Sequence, residues 1–266
     1  MNMKKQLLPA FLVLDILLAG LSGCGEQTKP DTDNAQSPLE TVTYANLTDG
    51  FESAAPTATK YDPYEMQDLW AEKNGSFPGY NCRITAFSLF GEFLTAGADQ
   101  PDTQGEDALF LDLETLSADP NALCGGSSAA FCALFAPVAA ADSAEVTAQV
   151  EALQAGWAAR GIAFSDSTAR LISVVLHDKF SDTDNTLFIG HVGVLLPAED
   201  GSLYFVEKVA FQEPYRLVKL RNRTELSDYL MEKYDTAWNQ DTARPFIMEN
   251  DSLMEGYRAN PLDSLP

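Results

Sequence analysis

Positive charge is scarce in this chain: 39 acidic residues stand against 17 lysines and arginines, and there are only two histidines, His177 and His191. So acidic a surface repels nucleic acid and anionic headgroups, which excludes a DNA or RNA partner; its plain use is solubility. Cysteine is equally sparse, with Cys24, Cys82, Cys124 and Cys132 and no Cys-x-x-Cys pair. Two histidines and no paired thiols are too few ligands for a zinc site, so neither a metal nor a cofactor is expected. No internal repeat is visible. Disorder is excluded in turn, because 45% hydrophobic and 10% aromatic residues are enough to build a core.

What is present begins with an export signal. Lys4 and Lys5 form a positive n-region, Leu7 to Leu21 an apolar run, and the run ends in Leu21-Ser22-Gly23-Cys24. A membrane span needs about 20 apolar residues. This run is shorter and holds Pro9 and Asp15. Residues 1–23 therefore read as a lipoprotein signal peptide, and Cys24 as the residue that takes a diacylglycerol before cleavage. Stable anchoring needs more than one acyl chain, which this palmitate-type modification supplies. The expected location is extracytoplasmic, lipid-anchored to the cell membrane.

Removing residues 1–23 takes two lysines and one aspartate, leaving 15 basic and 38 acidic residues and a charge of −23. Residues 24–42 are rich in Thr, Asp, Gln, Ser and Pro and read as a flexible tether. Residues 43–266 suit a single domain. Three cysteines remain after processing, so at least one thiol stays unpaired. Cys124 and Cys132 could pair, or could be small apolar core residues, the favoured reading.

Along the domain, Asp62-Pro63-Tyr64-Glu65 is a helix start, with a cap, a proline at the first helical position and a returning glutamate. That helix should end near Asn74-Gly75. The turn-forming stretch Phe77-Pro78-Gly79-Tyr80-Asn81-Cys82 leads into a helix running to Leu94, which puts Cys82 in its first turn. Residues 105–161 read as helical, most clearly Ser143 to Arg160 before Gly161. Then the pattern turns to strands: 171–176, 187–196, 203–209 and 215–220. A helix over 224–233 and an edge strand at 245–248 follow. Helices first and antiparallel strands later imply an α+β fold.

Three features converge on a cysteine nucleophile. Cys82 at a helix N-terminus, beside Arg83, has backbone amides and positive charge to favour a thiolate. His191 lies inside a strand in Ile189-Gly190-His191-Val192-Gly193, where the glycines leave room around the ring, as a substrate would require. Glu207 puts a charge inside the apolar strand Tyr204-Phe205-Val206-Glu207-Lys208. The link Ala198-Glu199-Asp200-Gly201 suits a type I turn with Gly201 left-handed. Gly193 then falls opposite Glu207 and His191 opposite Val209. His191 and Glu207 become diagonal neighbours on one face, close enough for the carboxylate to orient the imidazole.

A cysteine at a helix start, a histidine on a strand and a polar group on the next resemble the papain-like superfamily, and within it the NlpC/P60 cell-wall peptidases with their similar Gly-His-Val-Gly pattern. The chain departs from these where Asn81-Cys82-Arg83-Ile84 replaces their usual Asp-Cys-Ser-Gly. Over about 43–250 the sequence also looks like a family of Gram-positive lipoproteins of unknown function (domain of unknown function 4300). That likeness is carried by Phe77 to Arg83, Ile172 to Asp178, Gly190 to Pro197, Phe205 to Lys208 and Pro245 to Met248.

The superfamily resemblance implies N-terminal helices packed on a C-terminal antiparallel sheet and a Cys82–His191–Glu207 triad acting on amide bonds. Asn81 and Tyr80 are candidate oxyanion donors beside the Cys82 amide. His177, at the close of the preceding strand, is a rival base, and Glu207 has a plainer alternative in a surface pair with Lys208 or Arg216. The expected function is a cysteine hydrolase on cell-wall or exogenous peptides, in an open cleft. The alternatives are an acyl transferase with the same triad and a non-catalytic binding lipoprotein.

Overall fold

The computed structural model of the chain describes residues 63–98, 105–181, 184–211, 215–236 and 240–260. The signal 1–23, Cys24, the tether 24–42 and the expected start of the domain at Thr43 lie outside the described residues. The described chain has six helices and two antiparallel sheets. Helix α1 (Pro63–Asn74) starts at the proline and stops where Gly75 turns left-handed. Helix α2 (Cys82–Phe90) follows. It ends short of Leu94 because the chain is claimed there by pairing: β1 (Leu94–Thr95) zips to β3 (Ala163–Phe164), and the Ser165 amide donates to the Phe93 carbonyl.

The middle supplies α3 (Glu106–Ala118), α4 (Ser128–Phe135), the short β2 (Val138–Ala139) and α5 (Val146–Ala159). Helix α5 begins later than Ser143 because Ser143 belongs to the preceding turn. Its hydroxyl accepts from the Glu145 amide, and its carbonyl accepts from the buried Gln149 side chain.

The main sheet contains β4 (Arg170–Lys179), β5 (Asn185–Pro197), β6 (Leu203–Lys208), β7 (Tyr215–Leu220), β8 (Phe246–Glu249) and β9 (Ser252–Leu253), in the order β7-β6-β5-β4-β8-β9, with β2 added to β5. The segment expected as an edge strand is thus interior. β8 pairs with β4 on one side and β9 on the other, because the chain turns back at Asn250. Helix α6 (Arg223–Tyr234) lies between β7 and β8 in sequence.

Both faces of the sheet are covered. One core joins α2, α3, α4 and α5 to Leu171, Val175, Val192, Val194 and Val206. The other joins α6 to Ile172, Val174, Leu195, Phe205 and Val218. Alternate side chains of each strand therefore enter different cores, and a strand residue's parity decides which helices it meets. Among the described residues no helix is long and apolar enough to cross a membrane.

Candidate active site around Cys82 and His191

The head of α2 is held by polar contacts on all sides. Asn81 caps the helix, its side-chain oxygen accepting from the Ile84 amide at 3.1 Å. Its amide nitrogen donates to Asp112 on α3 at 2.7 Å, and the Arg83 fork grips the same carboxylate at 2.6–3.1 Å. Asp112 is 0% exposed, so two side chains from the cap and first turn of α2 share one buried charge. The preceding turn is fixed through the Thr115 hydroxyl, which donates to the Gly79 carbonyl at 2.9 Å. Cys82 thus starts a helix whose position is set by α3. The packing of α2 is mainly on β5 and then β6.

On β5 the ladder to β4 runs regularly until Gly190. Val175 faces Ile189 and Val174 faces His191, so Gly190 is an extra residue, a β-bulge. A bulge reverses the alternation beyond it. Leu187 and Ile189 belong to the core under α2–α5, whereas past the bulge it is the even residues Val192 and Val194 that do. His191 is re-aimed toward the other face, where its ring lies edge-on to Phe205 and stacked on Tyr234 of α6 at 5.2 Å.

The β5–β6 turn forms as expected. The Ala198 amide donates to the Ser202 carbonyl at 2.8 Å, Gly201 has φ +83°, and Gly193 faces Glu207. That pair closes the ladder, so His191 lies just past it rather than paired with Val209. His191 Nε2 and Glu207 Oε2 are 2.7 Å apart. The glycines do not make room for a substrate. A side chain on Gly193 would lie 2.5 Å from the Phe205 ring and 2.6 Å from the Val206 carbonyl, and one on Gly190 would strike Leu176. Their missing side chains let the sheet close around the histidine.

Electrostatics bind the three groups into a unit. An ionised carboxylate only accepts, so Nε2 carries the shared proton and Nδ1 is the ring nitrogen at which a second proton is gained or lost. Nδ1 has no partner in hydrogen-bond geometry, yet the Cys82 thiol is close enough to perturb it. Burial pushes the Cys82 thiol up, but the hydrogen bonding and charge of His191, aided by Arg83, outweigh it and lower the pKa. For His191, burial favours the neutral ring, while Cys82 and then Glu207 favour the imidazolium and raise its pKa to about 9. Burial would likewise raise Glu207, but His191, with Lys233 and Tyr229 behind it, brings it down to about 2. A proton moving from sulfur to Nδ1 would leave a thiolate–imidazolium pair supported by the carboxylate.

The other candidates are committed elsewhere. His177 accepts from the Ala243 amide at Nδ1 (2.8 Å), and its Nε2 lies 2.6 Å from the Asn185 side-chain oxygen, so both ring nitrogens are tied and it is not the base. The Tyr80 hydroxyl donates to Asp119 at 2.6 Å, and Asn81 is spent on the cap and Asp112; neither is placed as an oxyanion donor. Glu207 is no surface pair: it is 1% exposed, with Arg216 3.9 Å from its second oxygen. Cys132 keeps a buried thiol, so it forms no disulfide with Cys124. Among the described residues no group of His, Cys, Asp or Glu is arranged to hold a metal ion.

The open cleft expected around the pair is not seen among the described residues. Cys82 is 7% exposed, and His191 and Glu207 are 1% exposed each. Sequence reasoning also missed Asp112, Tyr229 and Tyr234. Asp112 and Tyr229 sit in helices as unexceptional polar residues, and only the stop of α6 near residue 234 signalled anything about Tyr234. No curated protein and no solved structure matches the chain. A family model does match, over residues 38–254, and the chain belongs to the family described as a domain of unknown function, DUF4300.

Proposed function

We propose that this protein is a cysteine hydrolase of papain-like type, cleaving amide bonds of cell-wall or exogenous peptides from a lipid anchor outside the cell membrane. One observation carries the reading: Glu207 occupies Nε2 of His191, which leaves Nδ1 without a hydrogen-bond partner on a ring that the Cys82 thiol is near enough to influence. The order helix-borne cysteine, strand-borne histidine, polar group on the next strand is the one the superfamily uses. The anchor rests on Leu21-Ser22-Gly23-Cys24 after the apolar run.

In this reading Cys82 gives its proton to Nδ1 and the thiolate adds to the amide carbonyl carbon. The oxyanion forms at the head of α2, where first-turn amides lack intrahelical acceptors. Collapse breaks the C–N bond, and His191 returns the proton to the departing amine. Water then attacks the thioester, losing its proton to His191, and a carboxylic acid and the thiol are released. An amine in place of water makes the same site an acyl transferase.

The burial of the thiol favours a second reading, a binding lipoprotein in which these residues persist as packing. Alkylation of Cys82 by iodoacetamide separates the two. The hydrolase labels readily well below pH ~8, whereas an inert core thiol stays unlabelled at every pH. Cys24→Ala should leave unlipidated precursor; a mutant that still enters the detergent phase with its signal removed refutes the anchor.

A further inference from the structure

The face of the site turned away from Cys82 is built by α6, an element the chemistry above does not use. The Tyr229 hydroxyl donates to Glu207 Oε1, the oxygen not facing His191. Tyr234, at the end of the same helix, stacks on the imidazole with an interplanar angle of 18°. Three of these groups are enclosed, Glu207 and His191 at 1% exposed and Tyr229 at 3%, and Tyr234 is half-buried. A carboxylate held by one oxygen rotates about its last torsion; held by both, it cannot. An imidazole bonded at one nitrogen can still tilt about that bond, and a parallel ring on its face opposes the tilt.

We infer that Tyr229 and Tyr234 are positioning residues for the Cys82–His191 pair, Tyr229 by fixing the Glu207 carboxylate and Tyr234 by fixing the ring plane. The inference rests on the nucleophile reading of Cys82. The groups that set the charge of Glu207 are His191 on β5, Arg216 opposite it on β7, and Tyr229 and Lys233 on α6. Cys82 on α2 acts on the same imidazole. Tyr229→Phe removes the one neutral hydroxyl from this set and keeps its ring in the core.

The experiment follows the Cys82 thiolate against pH in the full chain, by its ultraviolet absorbance with Cys82→Ser subtracted and by the iodoacetamide rate. In Tyr229→Phe the thiolate fraction near pH ~6 should fall about tenfold, the equivalent of a pKa rise of about one unit, with the alkaline limit unchanged. Tyr234→Ala should shift the profile the same way, and Tyr234→Phe, which keeps the stacked ring, should restore it. Because Tyr229 acts through the carboxylate, adding Tyr229→Phe to Glu207→Gln should shift nothing further. A Tyr229→Phe profile superimposed on the wild type, or an additive effect in the double variant, overturns the inference and leaves the hydrolase reading standing. An ordinary thiol pKa for Cys82 in the unmutated chain overturns both. Should Tyr229→Phe unfold, the Tyr234 pair decides the ring-plane half, and titration of the His191 ring by NMR in wild type and Glu207→Gln decides whether the carboxylate governs the pair.

Discussion

The two histidines stand on adjacent strands and have opposite fates. On β4, His177 is used up: one nitrogen accepts from the Ala243 amide and the other meets Asn185, so the ring stitches the approach to β8 onto the β4–β5 hairpin. On β5, His191 is bonded at one nitrogen only, and the other has no hydrogen-bond partner. A ring with both nitrogens bonded to neutral groups is fixed as a link between strands, whereas a carboxylate on one nitrogen sets the tautomer and leaves the other nitrogen open. Neutral partners hold His177 in a structural role, and an ionised partner on one side suits His191 to the base proposed for it.

The strongest way to break this contrast is to exchange the roles by mutation. Cys82→Ala and His191→Ala should each reduce amide turnover by about 10³-fold or more, while His177→Ala should stay within about threefold of wild type once folding is matched. Equal losses at both histidines, measured as kcat/KM on the same peptide, would erase the distinction.

Packing around His191 offers the next test. Gly193→Ala sets a methyl against the Phe205 ring and the Val206 carbonyl, and the carbonyl cannot step aside. A loss of about 3 kcal/mol in urea unfolding is expected. A neutral result would mean that the sheet has slack there and that the histidine's aim is not set by close packing.

Glu207→Gln should cost about 2 kcal/mol, since it removes the charge and keeps the size, and the cost should depend on pH. The raised pKa of His191 contributes stability that is complete below its unfolded value of 6.5 and fades as pH rises toward about 9. The lowered pKa of Glu207 contributes stability that is present above its unfolded value of 4.5 and is lost as pH falls toward about 2. The gap between wild type and variant should therefore be widest between these two unfolded values and narrow on either side. A gap independent of pH would show that the pair is not ionic.

The smallest effect belongs to the structural ring. His177→Ala strands the Ala243 amide and should cost about 1–2 kcal/mol in thermal or urea unfolding, with the pH profile of Cys82 labelling unmoved. A shifted profile would mean that the two histidines communicate.

Much of this architecture was legible along the chain because it is governed locally. Asn81 before Cys82 is a cap, and Pro63 opens a helix, for reasons confined to one turn of backbone. The pairing of Gly193 with Glu207 followed from the turn at Gly201, since loop length alone sets the register of a hairpin. The Gly-His-Val-Gly stretch singled out the histidine that bonds Glu207, although the reason given for its glycines is one the packing reverses.

By itself, then, the sequence determined where α2 begins, how β5 registers with β6 and that His191 and Glu207 share a face, because each depends on neighbours a few residues away. Only the tertiary structure decided what those groups meet. The bulge at Gly190 changes which core each half of β5 enters, Asp112 arrives from 31 residues beyond Asn81 and 29 beyond Arg83, and Tyr229 and Tyr234 come from a helix on the far side of the sheet. Periodicity registers none of these, because a buried polar group is selected by partners distant in sequence and not by its own place in a repeat. The tie of both His177 nitrogens and the burial of the thiol were decided the same way, by chain that returns to the site only once the sheet has closed.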